Sequence, residues 1–293
     1  MRRGQVLAVI AGVGLAAISV AQAQQPAPTG PNVAQIEKVK DNLFMITGGG
    51  GNTAAYITAN GVVLVDTKLS NWGQAILDKV RTVSDKPITH IINTHTHGDH
   101  VGSNEFFASS VEIVTQANTS TNMAKMKNFA TPETKHGMPD KTFTDRMTVL
   151  SGKEAIDLYY FGPGHTNGDA FVVFRELRTM HAGDIFATKG TPLLDMNNGG
   201  SGVQIGETLA KTAAGIKGVD TVIPGHAPVM AWADFVEFGE FNRAFLAAVQ
   251  ASIKAGKTAD QALADLKLPE TFAAYRMNAA KDNVAKIYAE LGK

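Results

Sequence analysis

A histidine-rich string in the first half of the chain constrains its fold and chemistry more than any other feature. Residues 95 to 100 read His-Thr-His-Gly-Asp-His, and one threonine, Thr94, separates them from the apolar run 88–93, which predicts a buried strand. Only eight histidines occur in the chain, and three of them lie within these six positions. The string therefore predicts a metal site at the end of a strand rather than an exposed polar turn.

The spacing within the string allows two metal ions. Side chains two residues apart on an extended segment point the same way, so His95 and His97 can reach one ion. Gly98 permits a tight turn, after which Asp99 and His100 can face a second ion. Imidazole nitrogen and carboxylate oxygen suit zinc, and iron or manganese can occupy similar sites.

The 293-residue chain contains no cysteine, which excludes disulfide bonds, thiolate ligands and cysteine nucleophiles. Any metal site must therefore consist of histidines and carboxylates. With 44% hydrophobic residues, the chain can bury a sizeable core. The charged fraction is 18% and the formal net charge is zero, so nothing favours a nucleic-acid-binding protein.

The first 23 residues have the pattern of a secretory signal peptide. Arg2 and Arg3 precede an uncharged apolar stretch at residues 6–20, and Ala-Gln-Ala at residues 21–23 offers a cleavage site. The stretch is shorter than the roughly 20 residues that a membrane span needs, which disfavours an uncleaved anchor. We therefore predict a periplasmic or secreted protein without membrane contact after cleavage.

Strand and helix patterns alternate along the rest of the chain. The predicted strands are short β-favouring or apolar runs, at residues 43–47, 54–58, 62–66, 88–93, 111–115, 156–161, 170–174, 179–182 and 221–223. The predicted helices have apolar residues at helical spacing, at residues 71–83, 101–107, 119–128, 204–216 and 234–255, with small closing helices in 258–292. This interleaving predicts a layered α/β fold.

The string is similar to the His-x-His-x-Asp-His signature of the metallo-β-lactamase superfamily, and the chain carries the family's other motifs in their order. Asp66 ends a predicted strand, as the family's first acidic motif does. The later motifs are Gly164-His165-Thr166-Asn167-Gly168-Asp169, Ala182-Gly183-Asp184 and Pro224-Gly225-His226. Five motifs in order make the resemblance specific, and it extends from about residue 36 to about residue 250.

That resemblance implies the αββα fold, in which two sheets pack face to face between outer helices. It also implies two zinc ions per chain, with the first ion on His95, His97 and His165, the second on Asp99, His100 and His226, and Asp184 bridging both. A hydroxide bridging the two zinc ions would cleave an amide, ester, lactone or thioester bond of a small molecule. Asp99 would orient that nucleophile and transfer its proton.

The expected organisation has four parts. They are a signal peptide at 1–23, a flexible mature N-terminus at 24–35, a metallo-β-lactamase-like hydrolase domain at 36–256, and a helical extension packed on that domain at 257–293.

Four residues outside the ligand set are assigned supporting roles. Asp66 would accept a hydrogen bond from a ligand histidine, with a simple strand-end cap as the alternative. Trp72 could line an apolar wall of the pocket or cap a helix against the core. Lys189 and Asn198 lie beyond Asp184, where family members often keep substrate-binding loops, and a lysine there could pair with a substrate carboxylate.

The substrate class is not determined by fold and metal motif. Zinc β-lactamases usually have cysteine or serine where this chain has Asp184, and their largest subclass commonly has lysine where this chain has Ala187. An aspartate at position 184 instead resembles the pattern of glyoxalase II-type thioesterases, lactonases and phosphodiesterases. We therefore expect a hydrolase of small carboxylic-acid derivatives with weak or absent β-lactam turnover, and a genuine β-lactamase is the alternative.

Two other classes are disfavoured. An iron-dependent flavodiiron oxidoreductase of the same fold usually has glutamate where this chain has His97, and persulfide dioxygenases use fewer ligands. A zinc-binding scaffold without turnover would not need Asp99 and a bridging Asp184. The identity of the metal separates hydrolase from oxidoreductase, and turnover of any substrate excludes the scaffold.

Overall fold

Two β-sheets form the centre of the protein, which a computed structural model describes for residues 33–293. The predicted signal peptide at residues 1–23 lies outside the described residues, as do residues 24–32 of the predicted flexible N-terminus. Export from the cytoplasm therefore stays a prediction. Within the described part of the chain, no helix combines the length and apolar character needed to cross a bilayer.

The first sheet has seven strands whose order in the sheet is their order in the chain. They are β1 (Gln35–Lys40), β2 (Leu43–Thr47), β3 (Thr53–Ile57), β4 (Val62–Val65), β5 (Ile88–Asn93), β6 (Glu112–Gln116) and β7 (Lys141–Phe143). Neighbours are antiparallel from β1 to β4 and parallel from β4 to β7.

The second sheet has six strands. They are β8 (Arg146–Val149), β9 (Ile156–Tyr159), β10 (Phe171–Phe174), β11 (Thr179–Gly183), β12 (Thr221–Pro224) and β13 (Met230–Ala231). They follow one another across the sheet from β8 to β13, and β11 is parallel to β12 while the other neighbours are antiparallel.

The helices of the described residues connect the strands or cover the sheets. They are α1 (Gly73–Arg81), α2 (Gly98–Val101), α3 (Ala117–Met123), α4 (Ile205–Gly215), α5 (Trp232–Lys254), α6 (Ala259–Ala264) and α7 (Ala280–Glu290). Helices α6 and α7, from the predicted C-terminal extension, pack on α5. No split divides the described residues into separate units, and the predicted boundary at residue 256 stays a prediction.

Alternation of side chains along the strands produces the layers. In β4, Val63 and Val65 pack between the sheets, while Val62 and Leu64 pack against Ile76 of α1. Consecutive side chains of a strand point to opposite faces, so one fully apolar strand contributes to two cores. A third core joins the second sheet to α4, α5 and α7. These four layers confirm the predicted αββα fold.

The strand patterns miss the edges of both sheets. Strands β1 and β7 form the edges of the first sheet, β8 and β13 those of the second, and none of the four is predicted. The residues of β1 are exposed or half-buried, so they show no apolar alternation. The helix expected at 101–107 is wrong in its extent, because α2 ends at Val101 and a separate 3₁₀ turn follows at Asn104–Phe106.

Candidate metal centre

The predicted ligands lie where strands end. Asp66 follows β4, residues 94–100 follow β5, Asp184 follows β11 and His226 follows β12. Because β4 is parallel to β5 and β11 is parallel to β12, these strand ends lie side by side within each sheet. His165 lies on the loop between β9 and β10, and Asp99 and His100 lie in α2, so loops and short helical turns present the candidate ligands.

Three groups of side-chain nitrogen and oxygen atoms converge at this place. Within each group the atoms lie within 4.8 Å of one another, and the groups are His95, His97, His165 and Asp184; Asp99, His100 and His226; and Asp66, His95 and His100. The structure therefore brings together all seven side chains that the sequence assigns to metal. Asp184 lies between the first two groups, with Oδ2 3.9 Å from His165 Nε2 and 3.1 Å from His226 Nε2.

The inner nitrogens of His97 and His165 face each other, while acceptors of the protein hold their outer nitrogens. His165 Nδ1 lies 2.7 Å from the Leu193 carbonyl oxygen, which can only accept, so Nδ1 donates. His97 Nε2 donates in the same way to the Asp195 carboxylate at 2.7 Å. Burial lowers the pKa of His165 to about 4, so this ring is neutral at pH 7. The remaining nitrogens, His97 Nδ1 and His165 Nε2, lie 2.8 Å apart in the group of candidate ligands that also contains His95 and Asp184.

His95 and His100 are oriented by Asp66 and Thr94. His100 Nδ1 donates to Asp66 Oδ2 over 2.7 Å. Thr94 Oγ1 also donates to Asp66 Oδ2, so it can accept from His95 Nδ1 at 3.0 Å. Burial holds the pKa of His95 well below its usual range. In each ring, Nδ1 therefore makes a hydrogen bond to the surrounding protein and Nε2 faces the centre, as in metal-binding histidines.

Two buried atoms at the centre have no hydrogen-bond partner among the described residues, namely His95 Nε2 and Asp184 Oδ1. Leaving one buried polar atom unpaired costs about 1–3 kcal/mol, so two in one cluster require an explanation. Asp184 Oδ1 lies 3.1 Å from His100 Nε2, but the angle does not suit a hydrogen bond. A bound cation would satisfy both atoms, so the residues fit a metal centre.

Protons compete with metal ions for His100 and His226, which belong to the second group of candidate ligands. Hydrogen bonds to Asp184 and Asp99 raise the pKa of His226 to about 9. Burial disfavours charge on His100, but the carboxylates of Asp184 and Asp66 outweigh burial and hold its pKa well above the usual range. Metal binding at His100 and His226 must therefore release protons.

Two glycines let the backbone approach the candidate ligands more closely than a side chain would allow. A Cβ on Gly51 would lie 2.1 Å from His100 Cε1, and a Cβ on Gly225 would lie 1.8 Å from Asp184 Oδ1. Any other residue at either position would displace a candidate ligand.

Lys68 is fully buried, which is unusual for a lysine. Its Nζ donates to the carbonyl oxygens of Ile46, at 2.8 Å, and Gly51, at 2.7 Å, and so connects β2 to the glycine that contacts the His100 ring. Burial lowers the pKa of Lys68 to about 7, although the charges of Asp66 and Asp99 oppose this shift.

We expect Lys68 to make the protein more stable as the pH rises above about 7. In the unfolded chain the pKa of Lys68 returns to 10.5, so between the two values the unfolded state binds a proton that the folded state does not. The free energy of unfolding should increase by up to about 1.4 kcal/mol per pH unit in this window. Below about pH 7 both states are protonated, and this contribution no longer changes.

Urea unfolding of the metal-free protein between about pH 7 and about pH 9.5 measures this effect. The variant Lys68→Met keeps a long apolar side chain but cannot titrate, so subtracting its pH profile isolates Lys68. Parallel profiles for the two proteins would contradict the prediction.

A cavity of about 350 Å³ opens beside the candidate ligands, and its wall includes His97, Asp99, Asp184 and His226. This volume is in the range of small-molecule sites. Of the described residues that form the wall, none is one of the three candidate substrate contacts predicted from the sequence.

Trp72, Lys189 and Asn198 instead make other contacts. Trp72 is the N-cap residue of α1, and its ring packs so closely on Gly49 that a Cβ there would lie 2.0 Å from it. Lys189 Nζ lies 2.6 Å from a carboxylate oxygen of Asp234 in α5, so its charge is already paired. Asn198 Nδ2 donates to Asp195 at 2.6 Å and so supports His97 indirectly.

Sequence reasoning missed the groups that orient the rings. Asp195 could have been noticed as an aspartate at the start of a turn, a common place for this residue type. In the structure its side chain accepts hydrogen bonds from the backbone N–H groups of Asn197 and Asn198. Leu193 acts through its carbonyl oxygen, which no side-chain pattern reveals. Thr94 precedes His95 and Lys68 lies two residues after Asp66, and both are identifiable only by their contacts.

Comparison with known proteins gives a consistent family. A family model described as the metallo-beta-lactamase superfamily matches residues 46–228. "Metallo-beta-lactamase type 2" of Elizabethkingia meningoseptica is 28% identical over 163 residues, which cover 52% of this chain and 61% of that protein. The uncharacterized protein YobT of Bacillus subtilis is 32% identical over 146 residues, which cover 45% of this chain and 60% of that protein. The chain thus matches about three fifths of the length of either relative.

Solved structures share the fold at low sequence identity. The DIM-1 metallo-beta-lactamase superposes with a TM-score of 0.60 at 19% identity, over 72% of this chain and 97% of that one. An inverting sec-alkylsulfatase from Pseudomonas sp. superposes with a TM-score of 0.76 at 13% identity, over 88% of this chain and 50% of that one. Likeness at this level of identity shows the fold alone.

Proposed function

Because the chain belongs to the metallo-β-lactamase superfamily, we propose that it is a two-zinc hydrolase that cleaves an amide, ester, lactone or thioester bond of a small molecule. The family match and the candidate metal-binding histidine and aspartate groups support a metallohydrolase. Zinc, the number of ions and the bond that is cleaved belong to the proposal.

The orientation of four imidazole rings carries the proposal. In each ring, one nitrogen donates a hydrogen bond to an acceptor of the protein and the other nitrogen faces the centre. The four rings are those of His95, His97, His100 and His165. The ions would be held by His95, His97 and His165 on one side, by Asp99, His100 and His226 on the other, and by Asp184 between them. A structural zinc site is closed by four ligands, whereas a catalytic site keeps a position open for substrate.

When bound, two zinc ions would supply Lewis-acid chemistry and a nucleophile at neutral pH, because zinc lowers the pKa of water from about 15.7 to about 7. Asp99 lies on the cavity wall, with Oδ2 3.3 Å from His226 Nε2. Burial opposes charge on Asp99, but its hydrogen bond to His226 keeps its pKa below the usual value. Asp99 is therefore a carboxylate at neutral pH, and it can take a proton from the nucleophile and return it to the leaving group.

A β-lactam amide is the second candidate substrate. Relatives from Elizabethkingia meningoseptica and Chryseobacterium indologenes are named metallo-β-lactamases, which favours this candidate. Asp184 and Ala187, which both line the cavity, occupy positions where zinc β-lactamases usually have other residues. We therefore rank lactones, esters and thioesters ahead of β-lactams.

A substrate panel on protein of known metal content tests the proposal. Bound metals are quantified by mass spectrometry, removed by chelation, and restored separately as zinc, iron or manganese. A β-lactam, a lactone, a thioester and a phosphodiester are assayed in each state. We expect the zinc form to hydrolyse the lactone or the thioester, with a loss of at least about a hundredfold after chelation and recovery with zinc.

The variant Asp99→Asn should lose this turnover, whereas Asp78→Asn should retain it, because Asp78 is an exposed residue of α1 that is hydrogen-bonded to Gln74. Full turnover by protein verified to be metal-free would exclude the proposed function. Redox turnover with iron and no hydrolysis with zinc would favour the oxidoreductase alternative.

A further inference from the structure

The cavity beside the candidate metal centre is shared with the C-terminal part of the chain. Its wall contains Arg276 and Asn278, which lie in the loop between α6 and α7. Both residues belong to the predicted C-terminal extension, to which the sequence assigns no role. The segment that carries them therefore borders the space in which a substrate would sit.

The backbone of Arg276 is fixed relative to the centre. Thr191 N donates to the Arg276 carbonyl oxygen at 2.8 Å, and Arg276 N donates to the Lys189 carbonyl oxygen at 3.3 Å. Ala279 N also donates to Thr191 Oγ1 at 2.9 Å. The segment that contains Lys189 and Thr191 continues to Leu193, whose carbonyl oxygen accepts a hydrogen bond from His165. Hydrogen bonds therefore connect the Arg276 backbone to residues 189–191, which lie close in the chain to the Leu193 carbonyl that holds His165.

Arg276 supplies a cation that the protein leaves without a partner. Among the described residues that line the cavity, Arg276 is the only lysine or arginine. No carboxylate of residues 33–293 lies within ion-pair distance of its guanidinium, and its side chain is exposed. Lys189, the nearby cation, is instead paired with Asp234 and Glu237.

We infer that Arg276, with Asn278 beside it, binds a carboxylate group of the substrate while the bond to be cleaved lies at the candidate metal centre. A guanidinium binds carboxylates through two parallel hydrogen bonds, and the Asn278 amide can donate a third. The apolar side chains of Leu193 and Phe238 also line the cavity, so an aliphatic part of the substrate would find apolar contacts there. This inference rests on the proposed hydrolase function and narrows its substrates to small molecules with a free acid.

A pair of matched esters tests the inference on the zinc-loaded protein. Mono-para-nitrophenyl glutarate carries a terminal carboxylate, and para-nitrophenyl pentanoate has a methyl group in its place. Arg276→Ala should raise KM for the glutarate ester by about tenfold to a hundredfold, the effect of losing a charged hydrogen-bonded pair. The kcat for this ester and both constants for the pentanoate ester should stay within about twofold of wild type.

Two further variants serve as controls. Arg276→Lys keeps the charge but loses the planar fork, so it should recover part of the lost affinity. Arg81→Ala removes an exposed arginine in the last turn of α1 and should change neither ester, since Arg81 does not line the cavity. Equal losses on both esters, or no loss on the glutarate ester, would overturn the assignment.

Binding of the corresponding para-nitroanilides, measured by calorimetry, separates this inference from the proposed function. Wild type should bind the glutarate anilide at least about tenfold more tightly than the pentanoate anilide, and Arg276→Ala should remove the difference. If the protein cleaves no substrate but shows this preference, the hydrolase function fails and the carboxylate site stands. If it cleaves substrates without the preference, the carboxylate site fails alone.

Discussion

Replacing Asp184 with asparagine is expected to lower both the metal content and the activity of the protein more than any other single conservative change. Asp184 is buried between the two groups of candidate ligands, and its Oδ1 atom has no hydrogen-bond partner among the described residues. The amide keeps the shape but removes the charge that would be shared by two cations. Removing a residue that only supports a metal ligand typically lowers metal affinity or activity about 10- to 100-fold. Removing the charge of a ligand itself should therefore lower kcat/KM by more than about a hundredfold.

Metal quantification and steady-state kinetics on the same sample measure this effect. Asp220→Asn is the matched control, because Asp220 pairs on the surface with Lys40 and Arg178 and should leave both readouts within about twofold of wild type. Circular dichroism confirms that each variant is folded. Wild-type kcat/KM together with two ions per chain in Asp184→Asn would show that this carboxylate is not a ligand.

The variant Phe241→Ala should destabilise the protein by about 3–5 kcal/mol, the usual cost of removing a buried aromatic side chain. Phe241 of α5 has no exposed surface, and its ring stacks on Tyr275 at a centroid distance of 4.4 Å and lies 5.5 Å from Phe272. These contacts attach the segment next to Arg276 to the long helix. A change of this size is a large fraction of the total stability of an ordinary domain.

Chemical denaturation of metal-free protein tests the prediction without the added effect of metal binding on stability. Phe241→Leu should lower the free energy of unfolding by less than half as much as Phe241→Ala, because leucine leaves a smaller void. Phe106→Ala removes the same side chain at a position that is 42% exposed, and should cost about 1 kcal/mol or less. A cost for Phe241→Ala no greater than that for Phe106→Ala would mean that α5 and the C-terminal segment are not joined by this contact.

The interior of the fold was predictable because buried strands carry a pattern. Strands β2 and β5 begin and end at the residues expected from their apolar runs. The four edge strands lacked that pattern, since an edge strand is recognised by its partner's hydrogen bonds rather than by its own burial. The expected helix at 101–107 was wrong in its extent, because α2 ends at Val101 and only a 3₁₀ turn follows at Asn104–Phe106.

The sequence by itself determined which side chains gather at the centre, since His95, His97, His165, Asp184 and His226 each follow a strand or occupy a loop whose position depends on local patterns. The tertiary structure alone decided how the rings are turned, and which groups border the cavity. The Leu193 carbonyl oxygen, Asp195 and Arg276 come from segments far along the chain. The physical reason is that hydrogen-bond direction and burial depend on neighbours in space, whereas a sequence pattern reports only a residue's own strand or helix.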